Sequence, residues 1–92
     1  METIAIQEFA KQVNGKRWNV ITGSAKTVDV IFTDALVAVD FGLDKINIVT
    51  SDYAVIFINN IHENIVKIES VRDFIIVRLS DTSMFTFNEC KN

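Results

Sequence analysis

Residues 27 to 88 form one long series of short alternating segments, and the breaks between them are only a few residues long. Segments 27–34, 36–41, 45–50, 53–58, 65–69, 74–80 and 84–88 each read as a strand, with 17–22 as a possible first strand. Connections this short permit hairpins and exclude parallel crossovers, which need a dozen residues or more. The expectation is a compact antiparallel sheet. In 27–33, Val28, Val30 and Phe32 share one face; in 35–41, Ala35, Val37, Val39 and Phe41 do. Asp34, between them, reads as a turn. Segments 53–58 and 74–79 are apolar on both faces, which predicts central strands covered on both sides. Two such strands in a small domain imply a strongly bent sheet or a partial barrel.

One segment has a helical period. Ile6, Phe9, Ala10 and Val13 fall at i, i+3, i+4 and i+7, one face of a helix over about 3–14. Thr3 is the candidate N-cap, with Glu2 as the other choice. Asn14-Gly15 closes the helix, Gly15 taking the left-handed position past its end. The fold class is therefore α+β: an N-terminal helix packed on a bent antiparallel meander sheet or partial barrel of 6–8 strands. With 92 residues and neither proline nor a Gly/Ser linker, 1–92 reads as a single domain.

Composition narrows function mainly by exclusion. The chain is 49% hydrophobic with seven phenylalanines, enough for a core and for apolar surface that a partner could cover. Net charge is −3, which argues against a general phosphate binder. No apolar run approaches the ~18 residues of a membrane span. Met1-Glu2-Thr3 puts an acid where a signal peptide carries cations. Cys90 is the only cysteine, as expected of a reducing compartment. A cytoplasmic location follows as the expectation. No glycine-rich phosphate loop, CxxC or HExxH occurs, so neither cofactor nor metal is expected. His62 is the only histidine and lies in a polar connection, 59–64, where it reads as an exposed loop residue. A catalytic role for it has no supporting motif, and the chain is expected not to be an enzyme.

Charge is polarised along the chain. Lys11, Lys16, Arg17 and Lys26 make the first quarter basic, whereas from Thr27 to Tyr53 a single cation, Lys45, faces Asp29, Asp34, Asp40, Asp44 and Asp52. Polarised charge steers a partner of opposite sign. The five aspartates are the candidate partner-binding face, although Asp34, Asp44 and Asp52 also fit as turn formers. Lys16, Arg17 and Trp18 form the one basic-aromatic cluster, a candidate contact for single-stranded nucleic acid. In the other reading Trp18 faces inward and the cations decorate the helix end.

Two resemblances bear on function. Glu8-Phe9-Ala10-Lys11-Gln12-Val13-Asn14-Gly15-Lys16 resembles the opening of small prophage-borne proteins of low-GC bacteria, E-F-A-x-x-[LV]-N-G-[KR]. That resemblance implies a mobile-element origin and, by class, an inhibitor of host defence, anti-CRISPR-like, acting by occluding a basic protein surface in the host cytoplasm. Residues 42–49 resemble the Asp-x-x-Met-Asn segment of the Sm/Hfq family of RNA-binding rings. Segments 55–58 and 65–68 resemble that family's last strand pair. This second resemblance implies an oligomeric RNA binder as the alternative. The expected function is a non-enzymatic protein-binding module, with a homodimer through sheet edges as a further possibility.

Overall fold

A computed structural model describes residues 2–23, 28–50 and 54–90, and of residues 2, 28–30 and 55–57 the backbone alone. The expected loop 23–26 and the turn 51–52 lie wholly or mostly outside the described residues. The elements run β1 (Glu2–Thr3), α1 (Ile6–Val13), β2 (Arg17–Gly23), β3 (Val28–Asp40), β4 (Lys45–Val49), β5 (Ala54–Asn59), α2 (Ile61–Asn64), β6 (Ile65–Val71), β7 (Phe74–Leu79) and β8 (Met84–Glu89). All pairings are antiparallel, in one sheet ordered β1-β6-β7-β8-β2-β3-β4-β5. Two meanders, β2 to β5 and β6 to β8, are thus fused by the β2–β8 ladder. The successive strands β5 and β6 lie near opposite ends of the sheet, yet only Asn60 and α2 join them. A link that short forces the sheet to curl until its ends approach, and it stays open as a bent sheet rather than a closed barrel.

The concave face holds the core. Val20, Phe32, Ala35, Val37, Ile46, Ile48, Ile75, Val77 and Phe87 point into it, and all are buried. Helix α1 seals the concavity with Phe9, Ala10 and Val13. The Phe9 and Phe87 rings lie 5.4 Å apart, and Trp18 meets Phe87 edge-on at 6.3 Å. On the convex face Phe74 and Ile76 of β7 are half-buried, and Ile31 of β3 is exposed. There, too, lies the one buried acid among the described residues. Glu69 is 4% exposed, and its Oε1 accepts a 2.7 Å hydrogen bond from Arg78 Nε. That bond chiefly holds the Glu69 carboxyl below its ordinary value, against the upward push of burial and with help from Lys67.

Four expectations change. The segments 27–34 and 36–41 are one 13-residue strand, β3, and not a hairpin. The inward face changes phase at Asp34 through a β-bulge: Trp18 pairs with Ala35 but Val20 pairs with Phe32, so the residues between them bulge out opposite Asn19. Asp34 takes φ +50°, its N–H donates to Asn19 Oδ1 (3.0 Å), and Arg17 Nη1 donates to its carbonyl (3.1 Å). Second, β5 lies at the end of the sheet and not at its centre. Apolar faces report what lies above and below a strand; its lateral edges carry no side-chain signal. Third, Thr3 does not cap α1. It pairs with Glu69 in the β1–β6 ladder, and the N-cap is Ala5, without a side-chain hydrogen bond. Fourth, the polar connection 59–64 contains the helical turn α2, whose Ile61 is fully buried.

The helix end matches its reading. Gly15 has φ +79°, and its N–H donates to the Val37 carbonyl (3.1 Å), which ties the turn to β3. No atom lies within 4 Å of a Cβ added there. The cost of Gly15→Ala is therefore backbone strain alone, about 1–2 kcal/mol. Urea denaturation should show a lower midpoint with an unchanged slope.

Candidate functional site

The β3–β4 connection, Phe41 to Asp44, is the best-defined surface feature. Its two flanking aspartates build it. Asp40 Oδ1 accepts from the Leu43 N–H (3.0 Å), and the Asp44 N–H donates to the Phe41 carbonyl (3.3 Å). Asp44 sits at φ +53°, a left-handed conformation that Asp tolerates better than most residues. Asp44 is then locked to α2. Its Oδ1 accepts from the His62 N–H (3.2 Å) and from His62 Nδ1 (2.6 Å), and its carbonyl accepts from the Ile61 N–H (3.3 Å). An ionised carboxylate only accepts, so the ring proton is assigned to Nδ1. The β4–β5 ladder explains the meeting: Lys45 pairs with Asn59, which sets Asp44 beside Asn60 and the start of α2. Asn60 is also left-handed, at φ +52°.

The tie has an electrostatic signature. Burial pushes the Asp44 carboxyl up, but hydrogen bonds from the His62 ring and amide outweigh it and hold the group below its ordinary 3.8. A carboxyl whose pKa is lowered on folding stabilises the fold above its unfolded value. That contribution fades as pH falls through the folded value. The fold should therefore lose stability below about pH 4, and Asp44→Asn should reduce that loss. Thermal melts of both proteins between pH 6 and pH 3 check it.

What this rigid turn displays is apolar. Phe41 is 42% exposed and Leu43 65% exposed, with Asp40 and Asp44 on either side. The Phe41 ring leans on His62, centroids 6.0 Å apart. The arrangement presents two large hydrophobic groups inside an acidic frame. The His62 ring bonds Asp44 and so ties the turn to α2.

The aspartates singled out in the sequence do not converge as a set. Asp40 and Asp44 share the turn. Asp34 lies six residues from Asp40 along β3, roughly 20 Å at strand rise, and its carboxylate faces Arg17 at 3.8 Å. The side chain of Asp29, and all of Asp52, lie outside the described residues. Of the basic-aromatic cluster, Lys16 and Arg17 are exposed, but Trp18 is 4% exposed and its Nε1 donates to the Val13 carbonyl (3.1 Å). A buried indole offers no face for a base to stack on, which corrects the triad as a nucleic-acid contact. Cys90 is tied to β2: its N–H donates to the Arg17 carbonyl (3.2 Å) and its Sγ lies 3.4 Å from Asn19 Oδ1.

Sequence reasoning treated Asp44 and His62 separately and missed their pairing, together with the exposed Phe41 and Leu43. The one available signal was the polar pair of turns at 42–44 and 59–60, which a β4–β5 hairpin brings to one end. Among the described residues no group of three His, Cys, Asp or Glu side chains could hold a metal ion, and no helix is long and apolar enough to cross a membrane. No protein-family model, curated protein or solved structure matches the chain.

Proposed function

We propose that this protein is a non-enzymatic protein-binding module that docks through the β3–β4 turn. Phe41 and Leu43 enter an apolar pocket of the partner, and Asp40 and Asp44 face basic groups on the pocket's rim. The carrying observation is the display of two large apolar side chains on a turn fixed by five hydrogen bonds. Exposed apolar groups held rigidly lose little conformational entropy on binding, the condition under which interface hot spots form. The acidic frame and the net charge of −3 select a basic partner. The resemblance of residues 8–16 to prophage-borne proteins supports the narrower reading: an inhibitor of a host defence protein, acting by covering a basic surface. In this mechanism the apolar pair supplies affinity and the aspartates supply encounter rate.

The test compares variants on one captured partner. A basic protein retained by the wild-type chain should be lost with the Phe41→Ser/Leu43→Ser double variant, and its association should slow as salt rises. Equal retention by the double variant overturns the proposal.

A further inference from the structure

Strand β6 leaves part of one edge unpaired just after α2. The chain's first strand, β1, pairs with β6 only at Ser70 and Glu69, and Ile4 N–H adds one bond to the Ile68 carbonyl (2.9 Å) before the chain leaves for α1. Residues 65–67 of β6 therefore have no strand beside them on that side. The ladder to β7 is also irregular here: Ile65 pairs with Leu79 and Lys67 with Arg78, and Val66 is skipped. Val66 is 68% exposed. The space where β1 would continue is a cavity of about 210 Å³, walled by Ile4, Ile6, Ile61, His62 and Ile65, with Val66 and Lys67 on the β6 side. That volume falls below the ~300–1,000 Å³ of ordinary small-molecule sites, and it suits one or two apolar side chains. Lys67 makes no ion pair among the described residues.

We infer that this cleft binds an extended peptide segment of a partner, which adds to β6 at Val66 as a continuation of β1. Main-chain hydrogen bonds to a free edge supply part of the affinity, and alternate side chains supply specificity. The peptide would place an apolar residue between Ile4 and Ile65 and an acidic residue against the Lys67 ammonium. The established β1–β6 pairing sets the direction, antiparallel to β6. The cleft and the β3–β4 turn meet at His62, which lines the cleft and packs against Phe41; the peptide contacts at Val66 and Lys67 lie outside the turn, so separate variants read the two surfaces.

The probe is a capped pentapeptide of alternating valine and glutamate, titrated into the isotopically labelled full chain, with amide chemical shifts as readout. Saturable shifts are expected at residues 3–6 and 65–68. The matching valine–lysine peptide should bind about two- to five-fold more weakly, the range of a single exposed ion pair. Lys67→Glu should reverse that order, and Val66→Pro, which removes an edge donor, should abolish binding. Lys67→Glu keeps the proposal testable should Val66→Pro fail to fold. Shifts confined to the β5 edge, no saturable shift, or equal affinity for the two peptides would each overturn it. So would concentration-dependent shifts at residues 65–68 without peptide, which would make a second copy of the chain the occupant.

Discussion

Phe87→Ala is expected to cost about 3–5 kcal/mol, the range for removing a fully buried phenylalanine. The site explains why the effect should fall at the upper end. Phe87 is fully buried and stands opposite Val20 in the β2–β8 ladder and opposite Ile75 in the β7–β8 ladder. Its ring also touches Phe9 of α1 and Trp18 of β2. It is the point where the two meanders and the helix meet. Trp18, Val20 and Ile75 sit on paired strands and cannot move into the space without disturbing a ladder, so much of the cavity stays open. A small domain has only about 5–15 kcal/mol of stability in all, so the variant should be largely unfolded well below the wild-type midpoint. Phe85→Ala is the comparison: Phe85 is half-buried and packs at the margin of the same cluster. Its loss should be clearly smaller. Equal effects in denaturant titrations would mean that the two meanders are not joined through Phe87.

The second large effect concerns binding rather than folding. Phe41→Ser/Leu43→Ser should weaken partner affinity by about 30- to 1,000-fold, the consequence of losing 2–4 kcal/mol of hot-spot energy. The chain should stay folded, with a stability loss of about 1–2 kcal/mol from the lost packing of the partly covered Phe41 ring on His62. The hydrogen bonds that shape the turn come from Asp40, Asp44 and the backbone, and the substitutions leave them intact. Ile31→Ser is the control. Ile31 is 60% exposed on the convex face and paired with Ile21. If Ile31→Ser abolishes binding and the turn variant does not, the convex face is the docking surface.

Much of the fold was legible because side-chain alternation reports faces. Val28, Val30 and Phe32, then Ala35, Val37 and Val39, show the strand and its change of phase. Alternation does not distinguish a chain that reverses from one that bulges. That choice rests with Asn19 and Arg17, which hold Asp34 from the neighbouring strand. The helix was legible in Phe9, Ala10 and Val13, and its end in Gly15. Its beginning was not, because Thr3 is claimed by a ladder partner 66 residues away. The lateral order of strands has no local signal either: nothing in β2 or β8 alone announces that they pair. The proposed docking turn was half legible. Asp40 and Asp44 stood out as acids, but their value lies in fixing a backbone that exposes Phe41 and Leu43. That became visible only once α2 was placed beside them.

A photoreactive residue placed at position 43, and in a separate protein at position 31, tests the docking claim most directly. Cross-linking to the captured partner at position 43 and not at 31 is the predicted result. Cross-linking at 31 with none at 43 would contradict it.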